Sequence, residues 1–417
     1  MTDRDVGAAI DAVWRIESPR LIASLARRLR DVGLAEEIAQ DACVAALTQW
    51  PQTGIPRNPA AWLTTAAKRR AIDLLRREQR LERQSEVLER DLATTPPEDP
   101  FEAALEDGVG DDLLGLMFVA CHPVLSTEAR VALTLRLLGG LTTPEIARAF
   151  LVAESTIAQR IVRAKRTLAE ARVPFELPDR GERSARLVSV LEAIYLIFNE
   201  GYAASAGDDV LRPQLCEDAL RLGRVLAELM PQEAEVQGLV ALMELQASRS
   251  RARVDAEGEA ILLLDQDRSR WDRLAVARGL TALDRAEKLG GAFGPYALQA
   301  AIAACHARAR TAAETDWPRI AALYDALAAL TPSPVVELNR AVAIGMAFGP
   351  DAGLALADAL NESGALQGYR LLPAVRGDLL EKLGRIAEAR AEFERAAAMT
   401  LNARERAALL RRAVGCR

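Results

Sequence analysis

The sequence predicts an all-α protein: two small helical domains joined by an acidic linker and followed by an α-solenoid. Three observations predict it. Half of the 417 residues are hydrophobic but only 4% are aromatic, and a mixture led by Ala, Leu and Arg favours helices over sheets. Amphipathic segments with apolar residues three and four apart, separated by Pro or Gly, run through the chain to its end. Toward the C-terminus similar segments start 33 and 36 residues apart, at Leu323, Leu356 and Glu392, close to the ~34-residue period of tetratricopeptide helix pairs.

Residues 1–80 read as several helices. Leu21, Ile22, Leu25 and Leu29 mark one stripe and Ile38, Ala42 and Leu47 another. The three prolines and one glycine between Pro51 and Pro59 interrupt the helices, and a further helix is expected from Ala60 to about Gln79. Residues 81–112, with Pro96, Pro97 and Pro100, read as a linker rather than a folded unit. In residues 113–175, Ser126 is placed to cap one helix and Thr143, ahead of Pro144 and Glu145, to cap a short second one. A last helix runs from about Ser155 to Ala171. From residue 184 to 417 the pattern is that of a degenerate α-solenoid.

Net charge follows the same divisions: +3 over 1–80, −9 over 81–112, +3 over 113–183 and −3 over 184–417, for −6 in all. An overall acidic chain is not a general nucleic-acid coat, but two basic helical groups remain. No run reaches the ~18 apolar residues of a membrane span, and Asp3, Arg4 and Asp5 do not fit a secretory signal, so a cytoplasmic protein that does not engage membranes is expected. The five scattered cysteines suggest neither a disulfide framework nor zinc. Cys121-His122 and Cys305-His306 are poor chelates, because adjacent side chains on a helix diverge, and read as packing or surface residues. There is no Gly-rich phosphate loop and no nucleophile paired with a base, so neither an enzyme nor a bound cofactor or metal is expected.

Two segments carry the functional signal. Glu145 to Lys165 has the pattern of a helix-turn-helix: Ala147 is small where two helices would cross, and Ile157 and Ile161 would hold the second helix down. Ile157, Ile161, Ala164 and Leu168 fall on one face, and Ser155, Gln159, Arg163 and Arg166 on the opposite one. Gln and Arg there can reach base edges, although a solvated basic face explains an isolated helix as well. Leu151 stands where such a turn usually carries glycine. In the second segment, Trp62 to Arg77, five cations face one acid, Asp73, which is spaced to pin Arg69, Arg70, Arg76 and Arg77. That helix suits a nucleic-acid backbone, and Trp62 suits unstacked bases, but a solvated charge run is the plainer reading of this segment alone.

Taken together, Leu34 to Ala42, Asn58 to Leu63 with the ending Asp73-Leu-Leu-Arg-Arg77, and the helix-turn-helix running into Arg163-Ala-Lys-Arg166 resemble the extracytoplasmic-function sigma factors of the sigma-70 family. Phe198 to Tyr202, Asp265 to Trp271 and Gly294 to Ala300 resemble the tetratricopeptide-like extension of one subgroup. The resemblance implies core RNA polymerase and promoter DNA as partners. Glu36, Glu37, Gln40 and Asp41 match the polymerase-binding segment. Arg57, Asn58, Trp62, Lys68, Arg69 and Arg70 match the part facing the downstream promoter element. Ser155, Thr156, Gln159, Arg160, Arg163, Lys165 and Arg166 match the reader of the upstream element. The linker would thread into polymerase, and the extension would modulate the factor through a protein partner or an intramolecular contact. Within the extension, Asp265, Asp267, Arg268, Arg270, Trp271 and Asp272 read as an inter-helix salt-bridge cluster, and Asp316 as the cap of a helix with Pro318 in its first turn. The alternative, a one-component helix-turn-helix regulator with a helical binding domain, accounts for residues 141–417 but leaves residues 1–80 idle.

Overall fold

The structure, a computed structural model, describes residues 3–86, 109–202, 212–255, 259–400 and 402–415. The described residues form α1 (Asp3–Leu29), α2 (Val32–Thr53), α3 (Pro59–Glu86), α4 (Val109–Ala120), α5 (Thr127–Leu137), α6 (Thr143–Phe150), α7 (Glu154–Glu170), α8 (Arg180–Tyr202) and α9 (Pro213–Leu229). There follow α10 (Ala234–Ala247), α11 (Arg273–Lys288), α12 (Pro295–Arg308), α13 (Trp317–Leu330), α14 (Pro334–Phe348), α15 (Pro350–Ser363), α16 (Leu371–Lys382), α17 (Ile386–Met399) and α18 (Ala403–Gly415). Among the described residues there is no strand, an isolated bridge pairs Val254 with Ala260, and no helix is long and apolar enough to cross a membrane. The chain divides into two compact units, Met1–Ala193 and Ile194–Arg417. Of the expected linker, residues 87–108 lie outside the described residues, and its ends are helical, in α3 and α4.

In the first unit α1 packs on α2 and α4, and α2 on α3. α1 begins well before Pro19, which sits inside it. α2 passes Pro51 and stops at Gly54, whose φ of 83° breaks the helix. The buried stripe of α2 is Ala35, Ile38, Ala39, Ala42, Ala46 and Trp50; Leu47, expected in it, is instead 49% exposed. The 100° step of a helix explains the difference: Ala46 follows Ala42 at i+4, whereas Leu47 is turned one step away. α4 to α7 enclose a core that includes Leu116, Phe118, Leu133, Leu135, Ile146 and Ile157. The first half of α8 completes it. Arg186, 9% exposed, donates to the Phe118 carbonyl at 3.2 Å and lies over the Phe118 ring, while Arg130 reaches Glu192 at 2.9 Å.

In the second unit each helix packs on its sequence neighbours, α9 on α10 and onward to α17 on α18, the arrangement of a solenoid. α13, α15 and α17 contain the three repeated segments. Close crossings use small residues: a Cβ on Gly353 of α15 would meet the Ala341 carbonyl oxygen at 2.6 Å and Cα of Gly345 at 2.8 Å, both on α14. An arginine recurs every 36 residues. Arg340 bridges to Asp325 at 2.6 Å, Arg376 to Asp358 at 2.8 Å and to Glu392, and Arg412 to Asp378 at 2.8 Å.

The polar group around Trp271 is not a salt-bridge cluster. Asp267 accepts from the Ser269 amide, and Asp272 caps α11 by accepting from Leu274 and Ala275. Arg268 donates instead to the carbonyls of His306 and Ala309, at 2.6 and 2.9 Å, and to the Thr315 hydroxyl. Arg253, Tyr202, Arg249, Trp271 and Arg268 form an alternating ladder of guanidiniums and rings, with charge-to-centroid distances of 3.7, 5.7, 5.8 and 5.2 Å. Carboxylates at i and i+4 are visible in a sequence, whereas carbonyl and ring acceptors from distant helices are not. Asp316 does cap α13, accepting from Arg319.

His306 stands beside this ladder, edge-on to Trp317 at 5.2 Å. Burial, with Arg249 and Arg268 nearby, lowers its pKa from 6.5 to about 4. Below pH 6.5 the unfolded chain therefore takes up a proton that the folded chain refuses, and stability falls as pH drops toward 4. The melting temperature of the second unit is expected to decrease between pH 6.5 and 5, and His306→Gln should flatten that dependence in calorimetric scans.

Candidate nucleic-acid and protein interfaces

α6, the turn at residues 151–153 and α7 make the helix-turn-helix. Its cap is Thr142, one residue before the expected Thr143: the Thr142 hydroxyl accepts from the Glu145 amide at 3.4 Å, and Glu145 accepts from the Thr142 amide at 2.7 Å. This reciprocal box needs an acid three residues after the cap, which Glu145 supplies to Thr142 and Ile146 cannot supply to Thr143. Burial pushes the Glu145 carboxyl upward, but the Thr142 hydrogen bonds and Arg15 bring it below the usual carboxylate range. Leu151 adopts the left-handed conformation, φ 51° and ψ 41°, with its amide bonded back to the last turn of α6.

α7 buries Ile157, Ile161, Ala164 and Leu168, the four residues expected. Ser155, Gln159, Arg163 and Arg166 are exposed, and Thr156 and Arg160 half-buried. Arg166 is paired with Glu170 at 2.6 Å. Gln159 and Arg163, four residues apart, thus project side by side from the outer face, a pair suited to hydrogen-bonding base edges. Lys165 is set apart from them, half-buried and turned toward α2.

At the start of α3, Asn58 is a helix cap, its side chain accepting from the Ala61 amide at 3.1 Å. Arg57, Arg69 and Arg70 are exposed and Lys68 half-buried. Trp62 is half-buried, edge-on to the buried Trp50 at 5.5 Å. Arg70 does not bond Asp73; it reaches Asp41 of α2 at 2.8 Å. On α2 itself Glu37 and Asp41 are exposed and Gln40 half-buried. Val44 and Leu47, 59% and 49% exposed, continue the same surface and give it an apolar component. Their signal in the sequence was the excess of apolar residues over what one buried stripe of α2 can hold.

Glu36 differs from its neighbours. It is 3% exposed, with Arg136 Nε 2.6 Å from Oε1 and Lys165 Nζ 2.5 Å from Oε2. Gln40 donates to the same carboxylate. Two more pairs join the α1–α3 and α4–α7 groups: Arg15 to Glu145 at 2.8 Å and Arg27 to Asp112 at 3.0 Å. Asp112 is itself buried, and burial raises its pKa against the opposing pull of Arg27. A cavity of about 700 Å³ lies beside this junction, lined among others by Arg27, Asp112, Lys165, Arg172 and Phe175. Arg15, Arg27 and Arg136 were not singled out from the sequence. Arg136 had a signal, being the one charge between Val131 and Leu141. Among the described residues no group of three or more His, Cys, Asp or Glu is placed to hold a metal ion.

Three family profiles match the chain: Sigma-70 region 2 over residues 14–81, Sigma-70 region 4 over residues 116–168, and a family of unknown function (DUF6596) over residues 186–287. An uncharacterized protein of Rhizobium meliloti (strain 1021) is 46% identical over 408 residues, spanning 95% of this chain and 93% of that protein. No solved structure matches.

A left-handed leucine costs about 1–2 kcal/mol, which glycine avoids at a smaller entropic cost. Leu151→Gly is therefore expected to stabilise the first unit by about 1 kcal/mol in denaturant titrations, leaving the α7 outer face unchanged.

Proposed function

Because the chain belongs to the extracytoplasmic-function type of sigma-70 factors and directs RNA polymerase to promoters, we propose a division of labour among three surfaces. The observation that carries it is the order within one chain of a region 2 match over residues 14–81 and a region 4 match over residues 116–168.

α7 enters the major groove of the upstream promoter element. Gln159 and Arg163 read base edges there, Gln suiting adenine and Arg guanine, while Ser155, Thr156, Arg160, Lys165 and Arg166 hold phosphates. The start of α3 meets the downstream element. Lys68, Arg69 and Arg70 follow the backbone, and Arg57, Asn58 and Trp62 form the rim against which unstacked bases are held. The α2 surface docks on core polymerase: Glu37 and Asp41 supply charge, Gln40 a polar contact, and Val44 and Leu47 apolar area, a composition typical of a specific protein interface.

The factor makes and breaks no covalent bond itself; its contribution is the positioning of polymerase and the capture of opened DNA. Its place of work is the cytoplasm, where core polymerase is found. The extension offers a helical surface for a regulatory protein, the usual service of a solenoid.

Core polymerase supplemented with the purified chain should transcribe specifically from its promoter. Glu37→Lys with Asp41→Lys should abolish core binding, measured by pull-down, while circular dichroism stays unchanged. Binding to an operator with no affinity for core polymerase would count against the whole reading. A chain ending at Ala193 is expected to retain core binding. One ending at Asp179, which loses the Arg186 and Glu192 contacts, should melt several degrees lower.

A further inference from the structure

Four ion pairs join α1–α3 to α4–α7, and a single carboxylate, Glu36, takes two of them. The cations come from different helices, Arg136 from α5 and Lys165 from α7, and Arg136 is itself fixed by donating to the Leu141 carbonyl at 3.2 Å. The turn before α6 adds a close approach: a Cβ on Gly140 would lie 3.3 Å from Cα of Arg15. A buried carboxylate held by two cations resists partial loosening, because removing either partner leaves charge without a counter-ion in a poorly hydrated place. Interfaces between domains of one chain are also commonly ones that the domains can leave.

We propose that Glu36 is a latch that closes the polymerase-free factor, clamping the helix-turn-helix group onto the promoter-melting group through Arg136 and Lys165. In the closed state Lys165 is spent on Glu36. Opening frees Lys165 and hands α7 its full set of cations. That last step rests on the reading of α7 as a DNA reader; the latch itself does not. The position of Glu36 also supplies a trigger. It is next to Glu37 in sequence and shares Gln40 with the docking surface of α2, so a partner that engages Gln40 withdraws a hydrogen bond from the latch. The acidic group of α2 therefore has two roles: Glu37 and Asp41 face outward, and Glu36 faces the rest of its own chain.

The test uses a feature of the composition. The chain has four lysines, Lys68, Lys165, Lys288 and Lys382, so amine acetylation followed by mass spectrometry reads Lys165 by itself. Lys288, with a side chain 74% exposed, is the internal reference. In the free full-length chain Lys165 is expected to react at least tenfold more slowly than Lys288. Glu36→Gln should bring the two within about twofold, and Glu37→Gln, with the same change in charge, should not. Arg136→Gln decides the matter if Glu36→Gln fails to fold by circular dichroism, and it too should speed Lys165 several-fold.

Equal rates for Lys165 and Lys288 in the unaltered chain overturn the proposal. So does an unchanged Lys165 rate in the folded variants, or an equal acceleration by Glu37→Gln. In a second measurement without polymerase, Glu36→Gln should bind an upstream-element duplex at least fivefold more tightly than Glu37→Gln does. Loss of all DNA binding in every variant, with the amine rates as expected, would support the latch and count against the role given to α7.

Discussion

Close approach of helices through small side chains is the constraint on which the rest of this structure depends. With 4% aromatic residues, the core cannot be filled by large rings, so helices must come near enough for Ala and Gly faces to exclude water. α2 buries four alanines beside Ile38 and Trp50, and α14 meets α15 through Gly345 and Gly353. Most long polar side chains are left at the rims, on the outer face of α7, the start of α3 and the exposed edge of α2.

Arginine organises those rims in three chemically distinct ways. It pairs with carboxylates along the repeats of the second unit. It donates to backbone carbonyls where helices end, as Arg186 and Arg268 do. It also stacks on rings, as in the ladder from Arg253 to Arg268. The planar, permanently charged guanidinium, with five donors and a flat face, suits all three. Lysine, present four times, is kept for point contacts such as Lys165 on Glu36.

The all-α class, the helix-turn-helix and the buried stripe of α7 were readable from the sequence because each rests on local spacing. The capping acid of α6 was readable too, though its partner was displaced by one residue. What escaped depends on distance in space. Arg70 sits among residues spaced for Asp73 yet bonds Asp41, because α3 packs against α2 and a carboxylate across the gap competes with one on the same helix. Glu36 is spelled like its neighbour Glu37, and a helical step of 100° alone separates a buried residue from an exposed one. Arg15 and Arg27, which meet Glu145 and Asp112, had no local pattern to mark them, since their partners lie on other helices, and Arg136 stood out only as the single charge of an apolar stretch.

The arginine that returns every 36 residues bears on how the second unit responds to damage. Arg340 ties α14 to α13, Arg376 ties α16 to α15 and α17, and Arg412 ties α18 back to α16, so each link spans no more than three successive helices and mechanical continuity there is that of a chain of links. Loss of one link weakens its two neighbours and leaves distant helices intact. Such a body melts in segments, from its ends or from its weakest junction inward, and any partner that grips several helices at once would stiffen it over their whole length.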